Sequence, residues 1–465
     1  MVQINDTIVG IATPIGEGGI SIIRISGEKA LEILYDIFTF SGELKKNIRD
    51  IQERKFYLGK VYDEKRLLDQ CMAVYMKGPR SYTGEDVVEI HCHGGILVTK
   101  KILELILHNG VRLAEPGEFT KRAFLNGKIN LAQAEAVIDV ITARSDSALD
   151  SAVKQLEGKL GEAIDGIMRN IEAMLANVEA DIDFPDEDLD LLSVKDMEAL
   201  LEECIKKIDA LIKEADTGRV LREGVNTVIV GRPNVGKSSL LNALVREDKA
   251  IVTNIPGTTR DIIEDYIQIK GFLFKIIDTA GFRETEDIIE KIGLEKSYEK
   301  LQKADLVLIV MDASQALLGE EHDFIKKIIE MKDKVMIIIN KVDLEKVIVR
   351  KDLVSSIFPG TKVLEISATE KVGLKLLEEE IINMVFEGKL SPGQDYLVTR
   401  VRHKNLLINA KKRLEDARET ISRGLAEEFL SIDLRDAWRL LGQITGNAVD
   451  EDIIDKIFSE FCIGK

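Results

Sequence analysis

The chain has only four cysteines, Cys71, Cys92, Cys204 and Cys462, and no Cys-x-x-Cys pair. That excludes a disulfide framework and a zinc knuckle, and fits a reducing compartment. No apolar run reaches the roughly 18–20 residues of a membrane-spanning helix. The opening MVQINDTIVG has neither the basic flank nor the apolar core of a signal peptide. A cytoplasmic protein without a membrane anchor is therefore expected. Basic charge is also short: 64 Lys and Arg face 81 Asp and Glu, for a net charge of −17. Such a field keeps a protein in solution but repels nucleic acid at long range, so any RNA contact must come from a local basic patch or a partner. Repeats and low-complexity tracts are missing too.

What is present is a chain of 465 residues, 45% of them hydrophobic. That length predicts roughly two to four domains with buried cores. Up to residue 118, β-rich runs (Ile8–Ala12, Ser21–Ile25, Phe56–Val61, Met72–Met76, Val87–His91) alternate with helical patterns over Lys29–Phe38 and Leu97–His108, as in a small α+β domain. Residues 119–221 carry long amphipathic helices: Leu131, Ala134, Ile138 and Ile141 share one face, and Leu160, Ile164, Ile167, Ile171 and Leu175 another. The stretch DIDFPDEDLD breaks this pattern before a helix through Leu200, Ile205, Ile208 and Leu211. Residues 222–386 alternate strand and helix, as in a doubly wound sheet, and 387–465 return to helical periodicity. The expected fold is multidomain: an N-terminal α+β domain, an all-α domain, and an α/β P-loop domain inserted into it.

The strand Thr227–Val230 runs into Gly231-Arg232-Pro233-Asn234-Val235-Gly236-Lys237-Ser238-Ser239 and then a helix, which is Gly-x-x-x-x-Gly-Lys-Ser in its required context. Glycines let successive N–H groups curl around phosphates, and the helix N-terminus adds partial positive charge. Lys237 is assigned to the β- and γ-phosphates and the Ser238 hydroxyl to Mg²⁺. The strand Phe274–Ile277 ends in Asp278-Thr279-Ala280-Gly281, where Asp278 reaches Mg²⁺ through water and Gly281 offers its N–H to the γ-phosphate. Val335–Ile339 ends in Asn340-Lys341-Val342-Asp343. The Asp343 carboxylate can accept both N1–H and the 2-amino group of guanine, which adenine cannot offer, so GTP is selected over ATP by a few kcal/mol. Lys362–Ile366 leads to Ser367-Ala368, whose Ala368 N–H meets the guanine O6. Thr259, in Ile255-Pro256-Gly257-Thr258-Thr259, lies where a switch segment supplies Mg²⁺ with a hydroxyl, and Asn254 flanks it among the nucleotide contacts. Four such elements in this order identify a Ras-like GTPase domain.

Ras-like proteins often follow Asp-Thr-Ala-Gly with Gln to orient water, but Phe282 stands here and can neither donate nor accept. Asn234, with Thr253, Ile255 and Thr258, has the oxygens to hold a monovalent cation against the phosphates, which would neutralise developing charge as an arginine finger does. A turn-forming role serves Asn234 equally well.

The phosphate loop, Gly257-Thr258-Thr259-Arg260-Asp261, Asp278-Thr279-Ala280-Gly281-Phe282-Arg283 and above all Phe461-Cys462-Ile463-Gly464-Lys465 resemble the MnmE (TrmE) family of tRNA-modification GTPases. Asp6-Thr7-Ile8, Ser21 to Gly27, Tyr82 to Glu89 and Pro116 to Lys128 are similar as well, so the resemblance spans the chain. It implies an N-terminal domain that dimerises and resembles a tetrahydrofolate-binding fold, with Arg24, Glu89, Lys128 and Lys465 at the 5-formyl- or 5,10-methylene-tetrahydrofolate. It implies a GTPase activated by K⁺-dependent dimerisation, with Asn234, Thr253, Ile255 and Thr258 at the K⁺ and Glu290 positioning the attacking water. It further implies a flavoprotein partner, MnmG, with which a carboxymethylaminomethyl or aminomethyl group is placed on the wobble uridine of certain tRNAs, Cys462 serving modification and not hydrolysis.

The ending Cys462-Ile463-Gly464-Lys465 is a poor prenylation box, because glycine and lysine occupy its last two places and no polybasic stretch precedes it. On a strand His91 and His93 share a face opposite Cys92, so the trio reads as sheet rather than a metal site. Gly16-Glu17-Gly18-Gly19 reads as a turn, and Lys411-Lys412-Arg413 as a solvated helix face that three charges do not make an RNA site. The alternative function, a ribosome-assembly or signalling GTPase that modifies nothing, would want a basic RNA-binding appendage, which a pI of about 5.0 does not suggest.

Overall fold

The computed structural model describes residues 6–41, 51–184, 192–247, 265–277, 301–331, 333–345, 348–386, 397–424, 426–462 and 464–465. They group into two compact units, one of residues 1–138, 156–204 and 412–465, the other of residues 139–155 and 205–411.

The first unit opens with β1 (Ile8–Ile11), β2 (Ile20–Ser26), α1 (Ala30–Ile37), β3 (Phe38–Phe40), β4 (Phe56–Asp63), β5 (Arg66–Met76), β6 (Val87–His93), α2 (Ile96–His108) and β7 (Arg112–Leu113). The strands form one sheet in the order β3-β4-β5-β6-β2-β1-β7, antiparallel except for the β1–β7 pair. Alternation decides the faces. Ile23, Ile25 and Ile90 turn inward onto Ile33, Leu34, Ile102 and Ile106 of α1 and α2. On the opposite face Leu58, Met72, His91 and Ile22 stand side by side in register. Phe56, Leu58 and Met72 stay 52%, 51% and 42% exposed there, leaving an open apolar sheet face.

Helices follow: α3 (Glu118–Leu125), α4 (Leu131–Thr142), α5 (Asp146–Leu156), α6 (Lys159–Asp183) and α7 (Val194–Glu223). The apolar stripe predicted on α6 is buried at Leu160, Ile164, Ile167 and Ile171.

The second unit holds β8 (Val225–Val230), α8 (Lys237–Glu247), β9 (Asp265–Ile269), β10 (Phe272–Ile277), β11 (Leu306–Asp312), α9 (Gly319–Met331), β12 (Val335–Asn340), α10 (Lys351–Ile357), β13 (Lys362–Glu365) and α11 (Leu374–Phe386). Its sheet runs β13-β12-β11-β8-β10-β9, parallel save for the β9–β10 hairpin. Every residue of β11 and β12 is buried, which is why these strands read as unbroken apolar runs: a parallel sheet has a core on both faces. The chain closes with α12 (Val401–Arg423), α13 (Glu427–Thr445) and α14 (Glu451–Ser459). Antiparallel α6 and α13 meet through Glu172–Trp438 and Glu179–Arg435 hydrogen bonds of 2.8 and 2.6 Å.

One buried ion network fastens the first unit. Arg122 of α3, 1% exposed, donates to the Asp6 carbonyl and carboxylate at 2.8 and 2.6 Å, to Glu118 at 2.9 Å and to Glu85 at 3.2 Å. Arg112 also binds Glu118 and Asp6. Burial alone would raise the Glu118 pKa, yet bonds from Arg112, the Glu115 N–H and Arg122 hold it below the usual carboxylate value. Removing one charge from such a cluster strands the others. Arg122→Leu is expected to destabilise the folded chain by about 3–5 kcal/mol in urea unfolding near neutral pH. Because the folded pKa of Glu118 is depressed, its contribution is present above about pH 4 and is lost as pH falls through the folded value. The variant's penalty should therefore shrink in acid; a penalty that does not change with pH would contradict the network.

Candidate functional site

The phosphate loop leaves the C-terminal end of β8 beside β11, where strand order reverses, the place open parallel sheets keep for ligands. Asn234 sits in the left-handed region at φ 64°, and Gly236 follows at φ 97°, where a Cβ would collide with the Asn340 amide. The Asn340 Nδ2 donates to the Val235 carbonyl at 3.0 Å, and its Oδ1 accepts the Ala368 N–H at 3.0 Å. One side chain thus joins the loop that follows β8 to the loop that follows β13. Lys341 donates to the Asn234 carbonyl at 2.6 Å and to Asp312 at 2.7 Å. Ser367 is fully buried, accepting the Glu370 N–H. Asp343 is exposed, and so are Ser238 and Ser239 on the first turn of α8.

Lys237 folds onto the loop, donating to the carbonyls of Gly231 and Arg232, and burial lowers its pKa. Gly231, Asn234, Val235, Gly236, Lys237, Ser238, Ser239, Asn340, Lys341, Asp343, Ser367 and Ala368 are brought to this end of the sheet. Thr253, Asn254, Ile255, Thr258, Thr259, Asp278, Thr279, Ala280, Gly281, Phe282 and Glu290 lie outside the described residues.

In the first unit Arg24 and Glu89 face each other across the β2–β6 ladder, bonded at 2.9 Å. Arg24 lies over the rings of Tyr82 and Phe119, 5.4 and 5.6 Å from their centres, and reaches the Gly464 carbonyl at 3.5 Å. The Gly464 backbone runs so close to the Ile11 carbonyl, at φ 96°, that no Cβ fits. Phe461 is buried against Phe458, and the Gly117 N–H donates to the Cys462 carbonyl. The Cys462 thiol is left exposed. Burial lowers the Lys465 pKa and Arg24 adds to this, against the opposing pull of Glu89 and Cys462. Arg24 and Glu89 therefore meet the tail that carries Lys465 and the exposed Cys462 thiol. Lys128 instead donates to the Pro79 carbonyl at 3.0 Å, its stem packed on Gly84.

The profile described as "GTP-binding protein TrmE N-terminus" matches residues 7–128, and "MnmE helical domain" matches residues 131–462. A tRNA modification GTPase MnmE of Clostridioides difficile is 47% identical over 464 residues, covering 99% of this chain and 100% of the relative. The chain belongs to the MnmE family. Relatives with the same description from Alkaliphilus metalliredigens and Thermoanaerobacter pseudethanolicus are each 48% identical, with at least 99% of both chains covered. Membership makes this MnmE-family chain a GTPase of tRNA modification, with a TrmE-type N-terminal domain, a helical domain and a P-loop G domain.

Other motifs take ordinary places. His91 pairs with Glu89 at 3.2 Å and His93 with Asp69 at 2.7 Å, while Cys92 is buried toward Thr99. Among the described residues no group of three or more ligands could hold a metal, and no helix is long and apolar enough to cross a membrane. Lys411 is engaged by Asp209, and Arg413 by Asp416, Asp433 and Asp436. Sequence reading missed Asp312, the Arg122 network and the stacking of Arg24 on Tyr82 and Phe119. The sign for Asp312 was there: an apolar strand ending in Asp, as β12 ends in Asn.

Gly464→Ala is expected to lift the tail from β1. Carboxypeptidase should release Lys465 several-fold faster from that variant than from the parent chain; equal rates would show that the tail is not anchored at Gly464.

Proposed function

We propose that this chain is a K⁺-dependent GTPase, activated by dimerisation, that works with an MnmG-type FAD-containing partner to add a carboxymethylaminomethyl or aminomethyl group to C5 of the wobble uridine of certain tRNAs. A cytoplasmic setting suits that substrate. The domain division 1–118, 119–221, 222–386 and 387–465 belongs to the same proposal. What supports it is the meeting of Arg24 and Glu89 with the tail that carries Lys465 and the exposed Cys462, in a chain of the MnmE family.

The residues in view suit the ligands proposed. Exposed Ser238 and partly buried Lys237 offer a hydroxyl and an ammonium where a Mg²⁺-bound triphosphate would lie, with Thr259 completing the Mg²⁺ set. Asn234 presents its side chain at the left-handed turn of the loop, and with Thr253, Ile255 and Thr258 it would hold K⁺. Bound there, K⁺ would supply positive charge beside the phosphates. Glu290 is proposed to orient water. A tetrahydrofolate derivative carries carboxylates and an amino-substituted pterin ring, to which Arg24, Lys465, Lys128 and Glu89 offer opposite charge; when bound it would supply the one-carbon unit. The open apolar sheet face at Phe56, Leu58 and Met72 supports a homodimer, since such patches mark interaction surfaces.

Two measurements test the proposal. GTP turnover by the full chain should be at least about tenfold faster in K⁺ than in Na⁺ at equal ionic strength, a modest part of what charge neutralisation can provide; equal rates would end the cation site. Cys462→Ser should hydrolyse GTP normally yet fail to restore the modified wobble nucleoside in a strain lacking this protein. Normal modification by that variant would remove Cys462 from the chemistry.

A further inference from the structure

Asp312 is the last residue of β11, directly opposite Asn340 in the β11–β12 register. It is 4% exposed, and its carboxylate is closely surrounded. Oδ1 accepts the Ser314 N–H at 2.9 Å and the Ser314 hydroxyl at 2.6 Å; Oδ2 accepts Gln315 Nε2 at 3.1 Å and Lys341 Nζ at 2.7 Å. The other bond of that ammonium goes to the Asn234 carbonyl in the phosphate loop. Asn234 and Lys341 both occupy the left-handed region, at φ 64° and 65°, a conformation that costs side-chain-bearing residues energy and persists only where neighbours enforce it.

We propose that Asp312 is a positioning residue for guanine nucleotide. Its charge holds the Lys341 ammonium over the phosphate loop, and the ammonium in turn holds Asn234 in the curl that points loop amides at phosphate. Lys341 also begins the segment ending in Asp343, so the same carboxylate sets the guanine-reading loop. Without it, the Lys341 stem regains its rotamers and the Asn234 carbonyl loses its donor. Nucleotide then has to order both loops on binding, which weakens affinity and leaves the chemical step unchanged once the site is filled.

A buried carboxylate that merely supports the fold would behave differently, and a double-mutant cycle separates the two roles. With the full chain, fluorescent GDP binding, steady-state GTP turnover and nucleotide-free thermal unfolding are measured for Asp312→Asn, Lys341→Met and the pair. Asp312→Asn is expected to raise the Kd for GDP and the KM for GTP at least tenfold while kcat stays within threefold. On the Lys341→Met background the same change should weaken binding less than threefold, because the link is already cut. Ser314→Ala, which keeps the carboxylate but removes one anchor, should raise Kd two- to fivefold and serves if Asp312→Asn does not fold. Equal losses of affinity on both backgrounds, a Kd within twofold of the parent, or a fall in kcat at unchanged KM would overturn the proposal.

Discussion

The Asn340 amide is the interaction on which the nucleotide site depends. It donates to Val235 and accepts from Ala368, so loops that follow β8 and β13 move as one. Those strands are separated in the sheet by β11 and β12, and main-chain ladder bonds cannot join them directly. A short side chain carrying both a donor and an acceptor is required, and neither Asp nor Leu supplies both. The bare Gly236 follows from the same bond, since the amide fills the space a side chain there would need. Lys341 adds a second, ionic tie to the loop, so the pocket is held before any nucleotide enters.

Charge is used differently in the two units. Around Asn340 it sits at loop ends, where a triphosphate would meet it. In the first unit it is largely consumed internally: Arg122 is buried among three carboxylates, and Arg413 faces three more. A basic triplet in sequence is thus no measure of free positive charge, and a net charge of −17 makes such internal neutralisation easy. Arg24 is surrounded instead by two aromatic rings, the Gly464 carbonyl and, among the described residues, one carboxylate partner, Glu89.

Much of this was legible beforehand because local rules govern it. The run Val335–Ile339 reads as a doubly covered strand, and Gly231 and Gly236 have the spacing of a tightly curled loop between a strand and a helix, which is how β8 and α8 are joined. The α6 stripe was equally plain. Long-range geometry was not. Nothing local to Cys462 announces that Gly117 will bind its carbonyl, nor does Lys128 reveal that it will turn to Pro79. The short strands β3 and β7 escaped notice because three and two residues carry no period. Arg122 escaped because a buried arginine looks like a surface one until its partners, from separate parts of the chain, are assembled.

The pairing of α6 with α13 has a consequence for synthesis. Met168 packs beside Gly442, and Glu172 and Glu179 hold Trp438 and Arg435, across more than two hundred intervening residues. At ribosomal rates of about 5–20 residues per second, α6 waits on the order of 10–50 s for its partner. The segment around Cys204, which precedes that partner in the chain, lies against Ile167 of α6. The intervening sheet belongs to the second unit, so the α6–α13 pairing is a contact of high sequence separation that can form only after that sheet has been synthesised.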